Sequence, residues 1–326
     1  MTDSLSILVI GAGSIGKRHL KNLHALGMND LSLCDPEPLA LSAAAAETPC
    51  PTFANPEEAL EKVKPAIVFV CSPTGLHVPQ ALAAARTGAH LFIEKPLSHT
   101  EKGIDDLRKE ATKRDLICMV GCNMRFHFGP ATVKKLLEEG AIGTVTHATV
   151  FTGSFLPDWR PQQDYRKSYS ADPEQGGAIL DCIHELDLAL WYLGPATLRD
   201  AVLQPATSLG IPVEGTADLI LQHETGAIGS VHLSFMEPGY RRFCRIEGTA
   251  GTIAWDIGEK RVTLSNPEGK TLRTFKEPAA YDLNRMYLDE LRHFLDCVRK
   301  NVQPQGNLQE ATIALGIALE AKRRGK

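Results

Sequence analysis

The chain has 326 residues, 43% of them hydrophobic and 23% charged, with a formal net charge of -4. That length suggests about two domains of roughly 150 residues each, and the composition is that of a globular protein with a sizeable core. The slight acidic balance, without a basic stripe, argues against a nucleic-acid partner. No apolar run approaches the ~18 residues of a membrane span. The opening "MTDSLSILVIG" lacks the basic region of a secretory signal. Cys34, Cys50, Cys71, Cys118, Cys122, Cys182, Cys244 and Cys297 are scattered without a CxxC pair, which favours reduced buried thiols over disulfides or a metal site. A cytoplasmic protein with no metal and no membrane partner is expected.

Residues 6–10, 31–35, 66–71, 90–94 and 116–121 read as short β-rich strands. Helical segments with plausible caps and stops alternate with them. This alternation predicts a doubly wound parallel sheet with helices on both faces. Near residue 122 the pattern changes. After one more helix, Thr-, Val- and Ile-rich runs at 144–153, 216–223, 226–235, 241–257 and 261–266 are separated by Gly-containing turns, as in an antiparallel sheet. A helix at 175–194 interrupts this part, and two helices (287–301 and 308–326) close the chain. The fold class is therefore α/β followed by an α+β domain with a large, mainly antiparallel open sheet. The domains are placed at 1–122 and 123–326, the C-terminal helices packing back toward the first.

"ILVIGAGSIGKRHL" sets Gly11, Gly13 and Gly16 between an apolar strand and a helix. Gly11 allows the tight turn, Gly13 lets backbone approach a pyrophosphate, and Gly16 lets helix and strand pack closely. Ser14 and Ile15 begin that helix, whose unpaired N–H groups and partial positive charge favour phosphate. Asp35 ends the second strand, nineteen residues after Gly16. There an acid accepts hydrogen bonds from adenosine ribose hydroxyls and repels a 2′-phosphate; with no Arg following, NAD is favoured over NADP. The Asp35-Pro36 pair could also be a simple turn.

The strand "HLFIEKPLS" ends in Glu94-Lys95-Pro96, at the edge where such sheets bind ligands. With the glycine turn and "GGAILDCIHELD", it makes the chain resemble the Gfo/Idh/MocA oxidoreductases over essentially its whole length. The resemblance implies a Rossmann domain that holds the cofactor, with Glu94 and Lys95 beside it and Lys95 reaching the reacting hydroxyl. It implies that Pro96 fixes the turn, for which a cis peptide is one expected form. It also implies that Ser72, Pro73, Thr74 and His77 line the cofactor, although His77 could equally be an ordinary helix N-terminal residue. Asn123 and Arg125 would face the substrate crevice, or Arg125 would brace the domain junction. The open sheet implies a homodimer or homotetramer.

On a regular helix, Ile179, Ile183, Leu186, Leu190 and Leu193 form a core stripe, while Asp181, His184 and Asp187 form a separate polar line. If that line faces the crevice, its groups meet substrate. Oxidation of a carbinol requires the hydroxyl proton to leave, and His titrates at about 6.5. His184 is therefore the expected proton acceptor, Lys95 the orienting partner, and Asp181 the group that tunes them. The commoner family spacing is Asp-x-x-x-His, whereas this chain has Asp-x-x-His, so Asp187 is a second candidate to support the imidazole.

The long loop 154–177 leads into this helix. Trp159, Tyr165 and Tyr169 could stack on a sugar ring, while Arg160, Arg166 and Lys167 could hold an acidic group; an aromatic-anchored surface loop is the alternative. The expected activity is NAD-dependent oxidation of a secondary hydroxyl in a sugar, sugar acid or cyclitol. An NAD-retaining glycosidase and an NAD-responsive regulator share these motifs.

Overall fold

The computed structural model describes residues 5–325. It divides into two compact units, Met1–Asn123 with Asn284–Thr312, and Met124–Leu283 with Ile313–Lys326. No helix among the described residues is long and apolar enough to cross a membrane.

In the first unit, β1 (Ile7–Ile10), α1 (Ser14–Ala25), β2 (Leu31–Cys34), α2 (Pro38–Glu47), β3 (Thr52–Phe53), α3 (Pro56–Val63), β4 (Ile67–Val70), α4 (His77–Thr87), β5 (His90–Glu94), α5 (Ile104–Lys113) and β6 (Cys118–Gly121) alternate along the chain. The strands form a parallel sheet in the order β3-β2-β1-β4-β5-β6. The order reverses between β1 and β4, so their carboxyl ends border the crevice where doubly wound sheets bind ligands. β1, β2, β4 and β6 are buried throughout, which accounts for apolar runs without alternation. Local chemistry sets the helix starts: Asn55 accepts from the Glu58 N–H at 2.9 Å, and Pro56 follows as the first helical residue. The two-residue strand β3 is an addition to the predicted set, too short to carry a pattern.

The second unit contains α6 (Phe128–Glu138), β7 (Val145–Ser154), α7 (Ala178–Asp181), α8 (Ile183–Leu193), β8 (Ala196–Pro205), β9 (Glu214–His223), β10 (Ile228–Ser234), β11 (Tyr240–Gly248), β12 (Gly251–Asp256), β13 (Arg261–Ser265) and β14 (Thr271–Lys276). Its sheet runs β14-β13-β12-β11-β7-β10-β9-β8, antiparallel except for the β7–β10 pair. One face carries buried Val150, Leu219, Val231, Ile246 and Trp255; the alternate residues face away. The edge strands β8 and β14 are largely exposed, so they lack the alternation that marks the inner strands. Two last helices follow, α9 (Asn284–Lys300) and α10 (Leu308–Arg324). Within the first unit, Asn22 of α1 and Asn284 exchange amide hydrogen bonds of 3.1 and 2.9 Å.

The predicted helix 175–194 is two helices. Cys182 leaves the helical region at φ -94°, ψ 30°, so α7 ends at Asp181 and α8 begins at Ile183. Residue stepping across that break no longer reports a common face. The polar line does not stand apart from the core either, because Asp181, His184, Glu185 and Asp187 are all buried.

Candidate active site

The glycine turn follows β1 directly. Gly11 has φ 105°, and a Cβ there would lie 2.5 Å from the Cys71 carbonyl oxygen. A Cβ on Gly16 would overlap the Gly11 carbonyl. Gly13, by contrast, faces open space, with no atom within 4 Å of where its Cβ would be. It precedes α1 without a side-chain cap, leaving the first-turn N–H groups of Ser14, Ile15 and Gly16 to an external acceptor. Closed packing on two sides and an open third side suit the close approach of a pyrophosphate. Asp35 lies at the same edge: its Oδ2 accepts from the Ala12 N–H at 2.7 Å and its Oδ1 from the Glu37 N–H at 2.8 Å.

Two strands from β1, β5 ends in buried Glu94, and the Lys95–Pro96 peptide is cis. Glu94 Oε1 is 2.6 Å from His19 Nε2, and Oε2 accepts from the Lys95 N–H at 3.2 Å. Burial pushes the Glu94 carboxyl up, but the His19 hydrogen bond and the nearby positive charges overcome it and hold the group below its ordinary value. His77 is 1% exposed, with Nδ1 2.8 Å from the Pro96 carbonyl and Nε2 2.8 Å from the Ser72 carbonyl. Burial lowers its pKa against the pull of these carbonyls. His77 thus straps two loops together. The Ser72 hydroxyl donates to Gln80 Oε1 at 2.6 Å, while Pro73 precedes a short 3₁₀ turn that contains buried Thr74. Asn123 is 7% exposed, and its Oδ1 has no hydrogen-bond partner among the described residues.

In the second unit the acids of α7 and α8 have separate partners. Asp181 accepts from the Tyr169 hydroxyl at 2.8 Å and from the Ser170 hydroxyl at 2.5 Å. Asp187 receives a bidentate pair from Arg125, Nε at 2.8 Å and Nη2 at 2.6 Å, both side chains being buried. Glu185, fully buried, pairs with Arg242 at 2.6 Å. His184 lies in the first turn of α8, 9% exposed. The loop 154–177 contains three 3₁₀ turns. Trp159 Nε1 donates to the Ser154 hydroxyl at 2.7 Å, with its ring on Phe235. The Tyr165 hydroxyl donates to the Leu209 carbonyl at 3.0 Å. Arg166 pairs with Asp164 at 2.8 Å, whereas Arg160 and Lys167 are exposed.

The structure therefore gathers Gly11, Gly13, Ser14, Ile15, Gly16 and Asp35 at one edge, with Lys95 on the same sheet. It gives Arg125 and Asp187 to each other. Sequence reasoning missed His19 and Arg242 as partners of Glu94 and Glu185. For His19 a signal existed: it falls three residues after Gly16, beside buried Leu20 and before buried Leu23.

A reversed-order parallel sheet with a glycine turn open to phosphate is the architecture of a dinucleotide-binding domain. Residues 5–122 match the "Oxidoreductase family, NAD-binding Rossmann fold", and residues 131–254 match the "GFO/IDH/MocA C-terminal domain". The chain belongs to the GFO/IDH/MocA family. It is 27% identical to the myo-inositol 2-dehydrogenase of Thermotoga maritima, over 98% of this chain and 96% of that one. It is also 27% identical to the scyllo-inositol 2-dehydrogenase (NAD(+)) of Bacillus subtilis, over 98% and 94%. The solved structure of a levoglucosan dehydrogenase with NADH and levoglucosan shares the fold, with a TM-score of 0.87 at 19% identity over 99% and 98%.

Proposed function

We propose that the protein oxidises a secondary hydroxyl of a sugar, sugar acid or cyclitol, with His184 taking the hydroxyl proton and Lys95 orienting the same oxygen. Bound NAD would supply the hydride acceptor, held by the Gly11–Gly16 turn and by Asp35. The carbinol carbon gives up a hydride and its oxygen gives up a proton to the imidazole, leaving a carbonyl. Lys95 stabilises the developing charge on that oxygen through its ammonium. The observation that carries the reading is the position of Lys95, one residue beyond β5, on the sheet edge that also bears the open glycine turn. Asn123 supports it: a buried amide oxygen without a partner among the described residues suits a polyhydroxylated ligand. Asp181, anchored by two hydroxyls, fits a group that fixes the loop 154–177 against the site, and exposed Trp159 and Tyr169 offer ring faces to a sugar.

The same reading extends to assembly. The outer face of the eight-stranded sheet exposes Val202, Ile220 and Ile228, and we propose that a second copy of the chain covers it.

The test is a panel of myo-inositol, scyllo-inositol, levoglucosan, aldoses and uronates with NAD and NADP, followed by NADH absorbance. Lys95→Ala and His184→Ala are each expected to lower kcat by about 10²-fold or more while NADH still binds. Absence of turnover with every polyol despite tight NADH binding would overturn the proposal.

A further inference from the structure

We propose that His19, on the buried face of α1, is a positioning residue for Lys95 that acts through Glu94. The inference rests on the reading of Lys95 given above and deepens it by naming what holds the backbone from which that side chain leaves.

Glu94 makes two bonds with different purposes. Oε1 meets His19 Nε2 at 2.6 Å, and Oε2 accepts the Lys95 N–H at 3.2 Å. Beyond Lys95, the Pro96 carbonyl lies 2.8 Å from His77 Nδ1. Backbone atoms on both sides of the Lys95 side chain are thus held by buried groups, with α1 reaching one and α4 the other.

The surroundings argue that this is more than packing. His19 is fully buried against Phe92 and Phe69, at ring distances of 5.1 and 5.7 Å. Tyr287 of α9 stands at 6.3 Å, and Phe294 packs on the same phenylalanines. His19 Nδ1 has no partner among the described residues. In such a cage an apolar pair of similar volume stabilises at least as well as a buried ion pair. Hydrocarbon, however, offers no fixed acceptor for the Lys95 N–H and no negative charge beside its ammonium.

The ionisable groups acting on Glu94 are His19 from α1, Lys95, and His77 from α4. Glu94 in turn acts on the buried Cys71 thiol at the end of β4 and on Tyr287 of α9, and Tyr287 also feels Arg18 of α1 and Glu290 of α9. Without His19, Glu94 would sit in an aromatic pocket, where an unpaired carboxyl takes up a proton. Lys95 would then lose its anionic neighbour.

Four variants separate the possibilities: His19→Leu, His19→Gln, the double variant His19→Leu/Glu94→Leu, and Lys95→Ala. Melting temperature and the pH dependence of Lys95 acylation by acetic anhydride, followed by peptide mass spectrometry, are measured on the NAD-free protein. Turnover is measured on the polyol selected by the panel. His19→Leu is expected to melt lower and to move the acylation midpoint down by about half a pH unit or more. It should lower kcat on the order of 10- to 100-fold with little change in the KM for NAD. His19→Gln, which can still donate to Glu94, should restore the midpoint and most of kcat. The double variant should regain the melting temperature yet keep the shifted midpoint and the low kcat. Recovery of all three in the double variant, or an unmoved midpoint in His19→Leu, overturns the proposal and leaves His19 as a hydrogen-bond partner of the buried Glu94 only. Undiminished turnover in Lys95→Ala would instead remove Lys95 from the chemistry, while the acylation midpoints still decide whether His19 and Glu94 set its environment.

Discussion

Asp35 places a carboxylate beside the glycine turn by accepting from the Ala12 N–H at 2.7 Å and the Glu37 N–H at 2.8 Å. The anchoring leaves lone pairs on both oxygens, and in the proposed reading these would accept from ribose hydroxyls while the negative charge would repel a 2′-phosphate. Replacing it by a small neutral side chain that can still accept from the Glu37 N–H should weaken cofactor discrimination more than stability. Asp35→Ser is expected to narrow the NADH-over-NADPH affinity ratio by about tenfold or more, read by calorimetric titration of each. An unchanged ratio would remove Asp35 from cofactor choice. At this scale the placement of Gly11, Gly13, Gly16 and Asp35 was legible in the sequence, because they lie in the short segments that follow β1 and β2. The acids of α8 were not. Asp187 and Arg125 are 62 residues apart in sequence and Glu185 and Arg242 are 57, so only the fold could show that each acid already has an arginine.

The break between α7 and α8 shows what periodicity misses. Gly177 precedes α7 at φ 95°, and a Cβ there would overlap the Glu214 carboxylate. That carboxylate accepts from the Ile179 N–H at 3.2 Å and from Lys322 Nζ at 3.1 Å, so it fixes the start of α7. Gly177→Ala is therefore expected to cost about 1–3 kcal/mol in denaturant unfolding and to lower kcat, since it displaces the segment that carries Asp181. A variant as stable and active as the parent would show that the segment tolerates the shift. A second element-scale prediction concerns α6, whose N-cap is His127: Nδ1 accepts from the Gly129 N–H at 3.1 Å. Burial first, then the Arg242 charge, pushes the His127 pKa down to about 4 from 6.5. Between those two values the unfolded chain binds a proton that the folded one does not, so stability falls as pH drops through that window and is retained above it. The melting temperature should decline from pH 6.5 to 4, and His127→Asn, which still caps, should flatten that decline. The predicted strands were legible wherever one or both faces were buried; β8 and β14, at the edges, gave no such pattern.

For the whole molecule, the two sheets differ in a way that bears on assembly. Strands β1, β2, β4 and β6 of the parallel sheet are buried along their whole length. The eight-stranded sheet buries one set of alternate residues, while Val202 is 66% exposed, Ile228 45% and Ile220 38% on the other. A row of aromatic rings crosses that outer face. His232 stacks on Phe151 at 4.6 Å, Phe151 stacks on Phe243 at 4.8 Å, and Asp218 holds the His232 ring at 2.7 Å. Cross-strand stacking of this kind stiffens a face, and exposed apolar side chains on it favour burial against another surface. A self-complementary contact about a two-fold axis would cover both copies at once. If so, the parent protein should sediment at twice or four times its 35.5 kDa, and Ile228→Glu with Phe243→Glu should reduce it to that mass. NADH binding should survive the change, because the glycine turn and Asp35 belong to the other unit. A parent protein that sediments as a monomer at micromolar concentration would mean that the face stays open, and the stacked rings would then have to be explained by the strand pairing alone.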